Sequence, residues 1–130
     1  MRTALVTGSA GFIGYHTSAR LLALGWRVIG LDALSDYYDV RLKQQRHAML
    51  ATAPAFTPII GRLEDPGRLM QIFRNEGPKL VIHLAAQAGV RHSIEAPRDY
   101  VDSNLIGTYE LLEAARAHPP AHMLLASTSS

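Results

Sequence analysis

Five short apolar runs punctuate the chain: TALVT (3–7), RVIGL (27–31), FTPII (56–60), LVIHLA (80–85) and HMLLAS (122–127). Longer stretches with helical spacing of apolar residues separate them, and this alternation constrains the fold more than any other feature. Runs of Val, Ile and Leu with little polar alternation are what parallel strands covered on both faces require. Residues 12–24 carry Ile13, Leu21 and Leu24 and stop at Gly25, whereas residues 40–51 form a more polar helix through Val40, Leu42, Met49 and Leu50. Residues 66–76 have Asp65 as a cap, Pro66 in the first turn and Gly77-Pro78 as a stop. Residues 98–117 repeat Val101, Leu105, Tyr109 and Leu112 before His118-Pro119-Pro120 ends the helix. With right-handed crossovers, the alternation predicts a doubly wound parallel α/β sheet of the Rossmann type, with strands in the order 3-2-1-4-5. Such a sheet normally continues beyond five strands. Residues 1–130 are therefore expected to be the N-terminal dinucleotide-binding portion of a longer protein, truncated after strand five.

The chain has 13 Lys and Arg against 11 Asp and Glu, scattered rather than striped, so nucleic acid is not an expected partner. It has no cysteine, which excludes disulfides and thiolate metal sites. No apolar run reaches the roughly 20 residues of a membrane span. The first strand starts too early to leave room for a signal peptide, and a soluble cytoplasmic protein is the expectation. None of the six histidines shows a metal-ligand spacing, because Pro119-Pro120 keeps His118 and His122 off a shared helical face, and no metal is expected. His83 falls within a strand and reads as a core residue.

The segment VTGSAGFIG joins the first strand to the first helix and spaces Gly8, Gly11 and Gly14 three apart. Gly8 permits a tight turn, Gly11 lets the backbone approach a pyrophosphate, and Gly14 lets the helix pack close to the sheet. The helix N-terminus then favours the anion through its free N–H groups and its dipole. There is no GK[ST] sequence, which disfavours a nucleoside-triphosphate loop. Asp32 ends strand two, 18 residues after Gly14, where an acid can bond the ribose hydroxyls of a dinucleotide; the alternative is a turn residue. An acid there repels a 2′-phosphate, so NAD is expected rather than NADP.

TGSAGFIG, VIHLAAQAGVRHSIEAPRDYVDSNLIGTYELLEAA and LLASTSS together resemble the extended short-chain dehydrogenase/reductase family of NAD-dependent nucleotide-sugar epimerases and dehydratases. LDALSDYYDVRLKQQR and AQAGVRHS further resemble its UDP-glucuronate 4-epimerase branch. The resemblance implies that Gly8, Gly11, Phe12, Ile13 and Gly14 hold the pyrophosphate, and that Asp32 holds the ribose. It implies a backbone contact at Leu63, a cofactor-lining segment from Leu84 through Ala85 and Ala86 to Gln87, and an asparagine near the cofactor at Asn104. On spacing alone Asn104 reads equally as a cap or a helix bend. By the same resemblance Thr128 is the catalytic hydroxyl that bonds the reacting sugar hydroxyl, and Ser129 and Ser130 lie beside the substrate. As a bare Ser/Thr cluster, these three also read as strand-end solvation. Arg91 is a candidate partner for a uronate carboxylate or else a surface or phosphate-proximal arginine.

Two positions depart from the family pattern: Arg62 stands where an adenine-contacting Asp is usual, and Ala33 where the branch favours Asn. Both are expected to loosen adenosine binding, with Glu64 or Asp65 compensating weakly. The family's catalytic Tyr-x-x-x-Lys is missing, since the tyrosines are at 15, 37, 38, 100 and 109 and the lysines at 43 and 79. The reading is therefore the cofactor-binding part of a UDP-sugar epimerase, inactive by itself and homodimeric as the full-length protein. The alternatives are another nucleotide-sugar 4-epimerase or a 4,6-dehydratase, and a non-catalytic NAD-binding module.

Overall fold

The computed structural model describes residues 2–35 and 39–127. Strands β1 (Thr3–Thr7), β2 (Arg27–Asp32), β3 (Phe56–Ile60), β4 (Leu80–His83) and β5 (His122–Leu125) form one parallel sheet in the order β3-β2-β1-β4-β5. Fold class and strand order are those read from the sequence. β1 is buried throughout and β2 nearly so, as expected of central strands. Pro58 is tolerated in β3 because that strand lies at the sheet edge.

Alternating residues of the central strands feed two cores. Leu5, Ile29, Leu31 and Val81 pack against Leu69, Ile72 and Phe73 of α3 (Arg68–Glu76) and Leu111, Ala114 and Ala115 of α6 (Gly107–Ala117). Ala4, Val6, Val28 and Phe56 pack on the opposite face against Leu21 of α1 (Phe12–Ala23) and Leu50 of α2 (Val40–Leu50). Helices on both faces make the sheet doubly wound. The chain reverses direction between β1 and β4, where a crevice opens at the strands' carboxyl ends.

Several helical expectations are corrected. Of the large apolar residues that mark the helices, Leu21 and Leu50 are in the core, whereas Ile13, Leu24, Leu105 and Tyr109 are all more than half exposed. α1 buries Gly14, Ser18 and Leu21, and α6 buries Gly107, Leu111, Ala114 and Ala115. Gly14 packs on the glycine turn and Gly107 on the Leu63 side chain, so each buried face mixes small residues with one leucine. Asp65 does not cap α3. Its carboxylate accepts from the Arg62 amide and from Arg68 Nε, each at 3.0 Å, and the helix begins at Arg68 after a left-handed Gly67. The single helix expected over 98–117 is α5 (Pro97–Tyr100), a π-helical turn (Val101–Ile106) and α6, preceded by a short α4 (Val90–Glu95).

Candidate functional site

A cleft of about 430 Å³ lies at the switch point, bounded by the ends of β1, β2 and β4, by α2 and by the segment after β3. Its volume falls in the range of small-molecule and cofactor sites. Gly8, Gly11 and Phe12 form one wall, Asp32 and Ala33 a second, and Leu84 to Gln87 a third, with Leu63 between.

Thr7 ties two of these walls together. Its hydroxyl accepts from the amides of Leu84 at 3.0 Å and Ala85 at 3.1 Å and lies 2.7 Å from His83 Nδ1. A hydroxyl has two lone pairs and one proton, so Thr7 donates to Nδ1 and the proton of the neutral ring sits on Nε2. These bonds explain why β4 ends at His83 rather than continuing to Ala85. His83 is buried, as a core residue should be, and burial lowers its pKa below the ordinary 6.5.

The three glycines have three different reasons. Gly8 has φ +74°, and a Cβ there would stand 2.9 Å from the Ala85 nitrogen; only glycine lets the turn pass under the β4 segment. Gly14 packs on the turn itself rather than on the sheet, since its Cβ would lie 2.0 Å from the Gly8 carbonyl oxygen. Gly11 has an ordinary extended backbone and precedes α1, and a Cβ there would meet only that oxygen, at 3.2 Å. The amides of Phe12, Ile13 and Gly14 open α1 and have no intrahelical acceptor. The side chains of Phe12 and Ile13 are exposed, so any role of these residues in holding an anion rests on their backbone.

Asp32 is both turn residue and cleft residue. Its carboxylate accepts from the Ala10 amide at 2.9 Å and the Leu34 amide at 2.7 Å. A carboxylate has about four acceptor sites, so capacity remains for hydroxyls in the cleft.

A model of the family described as GDP-mannose 4,6 dehydratase matches residues 5–130. The chain belongs to this family. It is 49% identical over 126 residues to a probable UDP-glucuronate 4-epimerase of Rhizobium meliloti (strain 1021), covering 97% of this chain and 37% of that protein. It is 45% identical over 129 residues to UDP-glucuronate 4-epimerase 4 of Arabidopsis thaliana, covering 98% and 29%. Among solved structures, the UDP-glucuronic acid 4-epimerase of Bacillus cereus, in complex with UDP-glucuronic acid and NAD, superposes with a TM-score of 0.90 at 32% identity, covering 98% of this chain and 40% of that one. The chain thus spans between 29% and 40% of the length of these relatives. The epimerase/dehydratase family read from the sequence motifs is the family found.

Some expected site residues stand elsewhere. Asn104, in the π-helical turn, does not line the cleft but holds Gln87, which does. Its Oδ1 accepts from the Gln87 amide at 2.9 Å and its Nδ2 donates to the Gln87 carbonyl at 3.1 Å, a two-point clamp on the β4 segment. The side chain is therefore a positioning group and not a cap of its own helix. Arg91 is exposed on α4 and is not brought to the cleft. Thr128, Ser129 and Ser130 lie outside the described residues. Of the two acids beside Arg62, only Glu64 lines the cleft, as Arg62 itself does; Asp65 is held below the ordinary carboxylate pKa, first by the Arg62 amide and then by Arg68.

The cations of α2 escaped the sequence reading. Asp39, Leu42, Lys43 and Arg46 face the cleft as an i, i+3, i+4, i+7 stripe. Lys43 Nζ donates to the Ser35 carbonyl at 3.0 Å, and Arg46 Nη1 donates to the Ala10 carbonyl at 3.1 Å. The spacing is present in the sequence, but the apolar residues of this helix give no sign of it. Among the described residues no group of three potential metal ligands converges, and no helix is long and apolar enough to cross a membrane.

Proposed function

We propose that this chain is the NAD-binding portion of a nucleotide-sugar 4-epimerase acting on UDP-glucuronate, with residues 1–130 as the N-terminal cofactor half. The supporting observation is the convergence of the glycine turn, Asp32 and the Leu84–Gln87 segment on one cleft at the switch point. In this reading the amides of Phe12 and Ile13 receive the pyrophosphate, and the missing side chain of Gly11, whose own amide donates to the Gly8 carbonyl at 3.0 Å, lets it approach. Gly8 and Gly14 hold the turn in shape, and Lys43 and Arg46 add positive charge beside it. Asp32 accepts the ribose hydroxyls, and the Leu63 backbone meets the adenine side. Leu84, Ala85, Ala86 and Gln87 line the cofactor, with Asn104 fixing Gln87.

NAD, when bound, supplies the hydride acceptor for transient oxidation at C4 of the sugar. Thr128 orients the reacting hydroxyl, and Ser129, Ser130 and Arg91 meet the sugar. The proton-abstracting Tyr and its Lys belong to sequence other than these 130 residues, which hold no Tyr four positions before a Lys. The full-length enzyme is a cytoplasmic homodimer, and the exposed stripe of Val101, Leu105, Tyr109 and Leu112 is the part of its interface this chain carries.

Calorimetric titration with NAD and NADP, followed by incubation with UDP-glucuronate and NAD, tests the reading. NAD binds, NADP binds at least tenfold more weakly, and no C4 epimer forms. Equal affinity for NADP would overturn the role of Asp32, and formation of the epimer would overturn the placement of the catalytic base.

A further inference from the structure

His47 is buried although polar, and belongs to the polar helix α2. Its Nε2 shares a 2.6 Å hydrogen bond with the Oγ of Ser9, the fully buried residue between Gly8 and Ala10 in the glycine turn. The imidazole stands edge-on to Phe56 with ring centroids 5.7 Å apart. Gly30 leaves the room this group needs, because a Cβ there would lie 2.5 Å from the Phe56 ring and 2.7 Å from Ser9 Oγ. Among the described residues, His47 Nδ1 is buried without a partner. Burial holds the ring neutral against the opposing pull of Asp32.

An unsatisfied buried nitrogen costs free energy that an apolar side chain at the same position would avoid. Among the described residues, the one hydrogen bond the His47 side chain makes is with the glycine turn. The next-door residue, Arg46, reaches the same turn through the Ala10 carbonyl, while the Ala10 amide is held by Asp32. Ser9 and Ala10 are thus fixed from α2 and from β2 at once.

We propose that His47 is a positioning residue of the dinucleotide cleft: through Ser9 it latches α2 to the glycine turn, setting the turn amides and bringing the Arg46 and Lys43 charges to the bound pyrophosphate. This rests on the NAD reading above. It assigns the histidine a role in ligand affinity rather than in stability alone.

The test is a double-mutant cycle on NAD affinity by calorimetry, with wild type, Ser9→Ala, His47→Leu and the double variant, and urea unfolding of each in parallel. His47→Gln serves as the conservative variant, since its amide can reach Ser9 Oγ. Each single variant is expected to weaken NAD binding about fivefold to tenfold, the scale of one lost internal hydrogen bond. The double variant binds no more weakly than the poorer single, and His47→Gln restores most of the affinity.

If NAD binds wild type but the single variants bind equally well, or their losses multiply in the double, the latch is overturned and the NAD reading stands. Coupling in unfolding with none in affinity also overturns it, because the pair is then only structural. Failure of wild type to bind NAD overturns the NAD reading and this inference with it. Should His47→Leu not fold, the decision falls to Ser9→Ala against His47→Gln: the first must weaken binding and the second must not.

Discussion

Alanine at Gly14 places a methyl carbon 2.0 Å from the Gly8 carbonyl oxygen and 2.7 Å from its carbonyl carbon, where ordinary contact begins at 3.4 Å. Both obstacles are backbone, so the turn and α1 must separate. Overpacking of this kind costs about 1–3 kcal/mol, and the absence of a flexible neighbour puts Gly14→Ala at or above the upper end. Gly14 stands in the first turn of α1, where Ala returns at most about 1 kcal/mol relative to Gly. The balance is a net loss of about 2 kcal/mol.

Alanine at Gly11 behaves differently. The backbone there, φ −73° and ψ 170°, suits any residue, and the new methyl meets only the Gly8 oxygen at 3.2 Å. A poorer N-cap costs less than about 1 kcal/mol, and reduced freedom of the unfolded chain returns about 0.4–1 kcal/mol. Gly11→Ala is thus close to neutral for stability. Yet Gly11 lines the cleft, and in the proposed NAD-binding role its methyl obstructs the approach of the pyrophosphate to the backbone. Urea unfolding followed by circular dichroism, with calorimetric NAD titration, separates the two. Gly14→Ala loses about 2 kcal/mol, and Gly11→Ala keeps its stability while binding NAD at least tenfold more weakly. The reasoning is refuted if Gly14→Ala unfolds at the wild-type midpoint, or if Gly11→Ala binds NAD as wild type does.

Two further predictions follow from the positions of Asn104 and the buried histidines. Asn104→Leu removes both bonds to Gln87 at a cost of about 1 kcal/mol each, so the Gln87 amide exchanges faster with solvent and NAD binds more weakly, as hydrogen-exchange NMR and calorimetry would register. His47 and His83 both have pKa values lowered by burial, so the unfolded chain binds more protons than the folded one in the range below 6.5. Their contribution to stability is complete above pH 6.5 and declines as pH falls through that value toward the folded-state pKa; urea midpoints measured from pH 7.5 to pH 5 should fall, and a midpoint that rises would contradict the burial of both rings in neutral form.

The strands were legible because parallel strands buried on two faces leave continuous apolar runs, and β1 through β5 start where the sequence places them. The glycine turn and Asp32 were legible because local chemistry, a tight turn and an acid at a strand end, dictates those residue types. Helix orientation was not legible. Weighing only large apolar residues puts Val101, Leu105, Tyr109 and Leu112 inside, whereas α6 buries Gly107 against Leu63 and Leu111, Ala114 and Ala115 in the core. The same bias hid the cleft-facing stripe of α2, whose polar residues cover the site. The π-helical turn at Val101–Ile106 has no signature in residue spacing, although it carries the Asn104 side chain that clamps Gln87. His47 escaped notice because its partner, Ser9, is 38 positions away in sequence.

The most direct measurement is an amide NMR titration of the uniformly labelled chain with NAD. The account predicts saturable shifts concentrated at Gly8 to Gly14, Asp32 and Leu84 to Gln87, with the Gln87 amide moving together with the Asn104 side-chain amide. Saturable shifts confined to another surface, or a spectrum unchanged at millimolar NAD, would contradict the assignment of this cleft as a dinucleotide site.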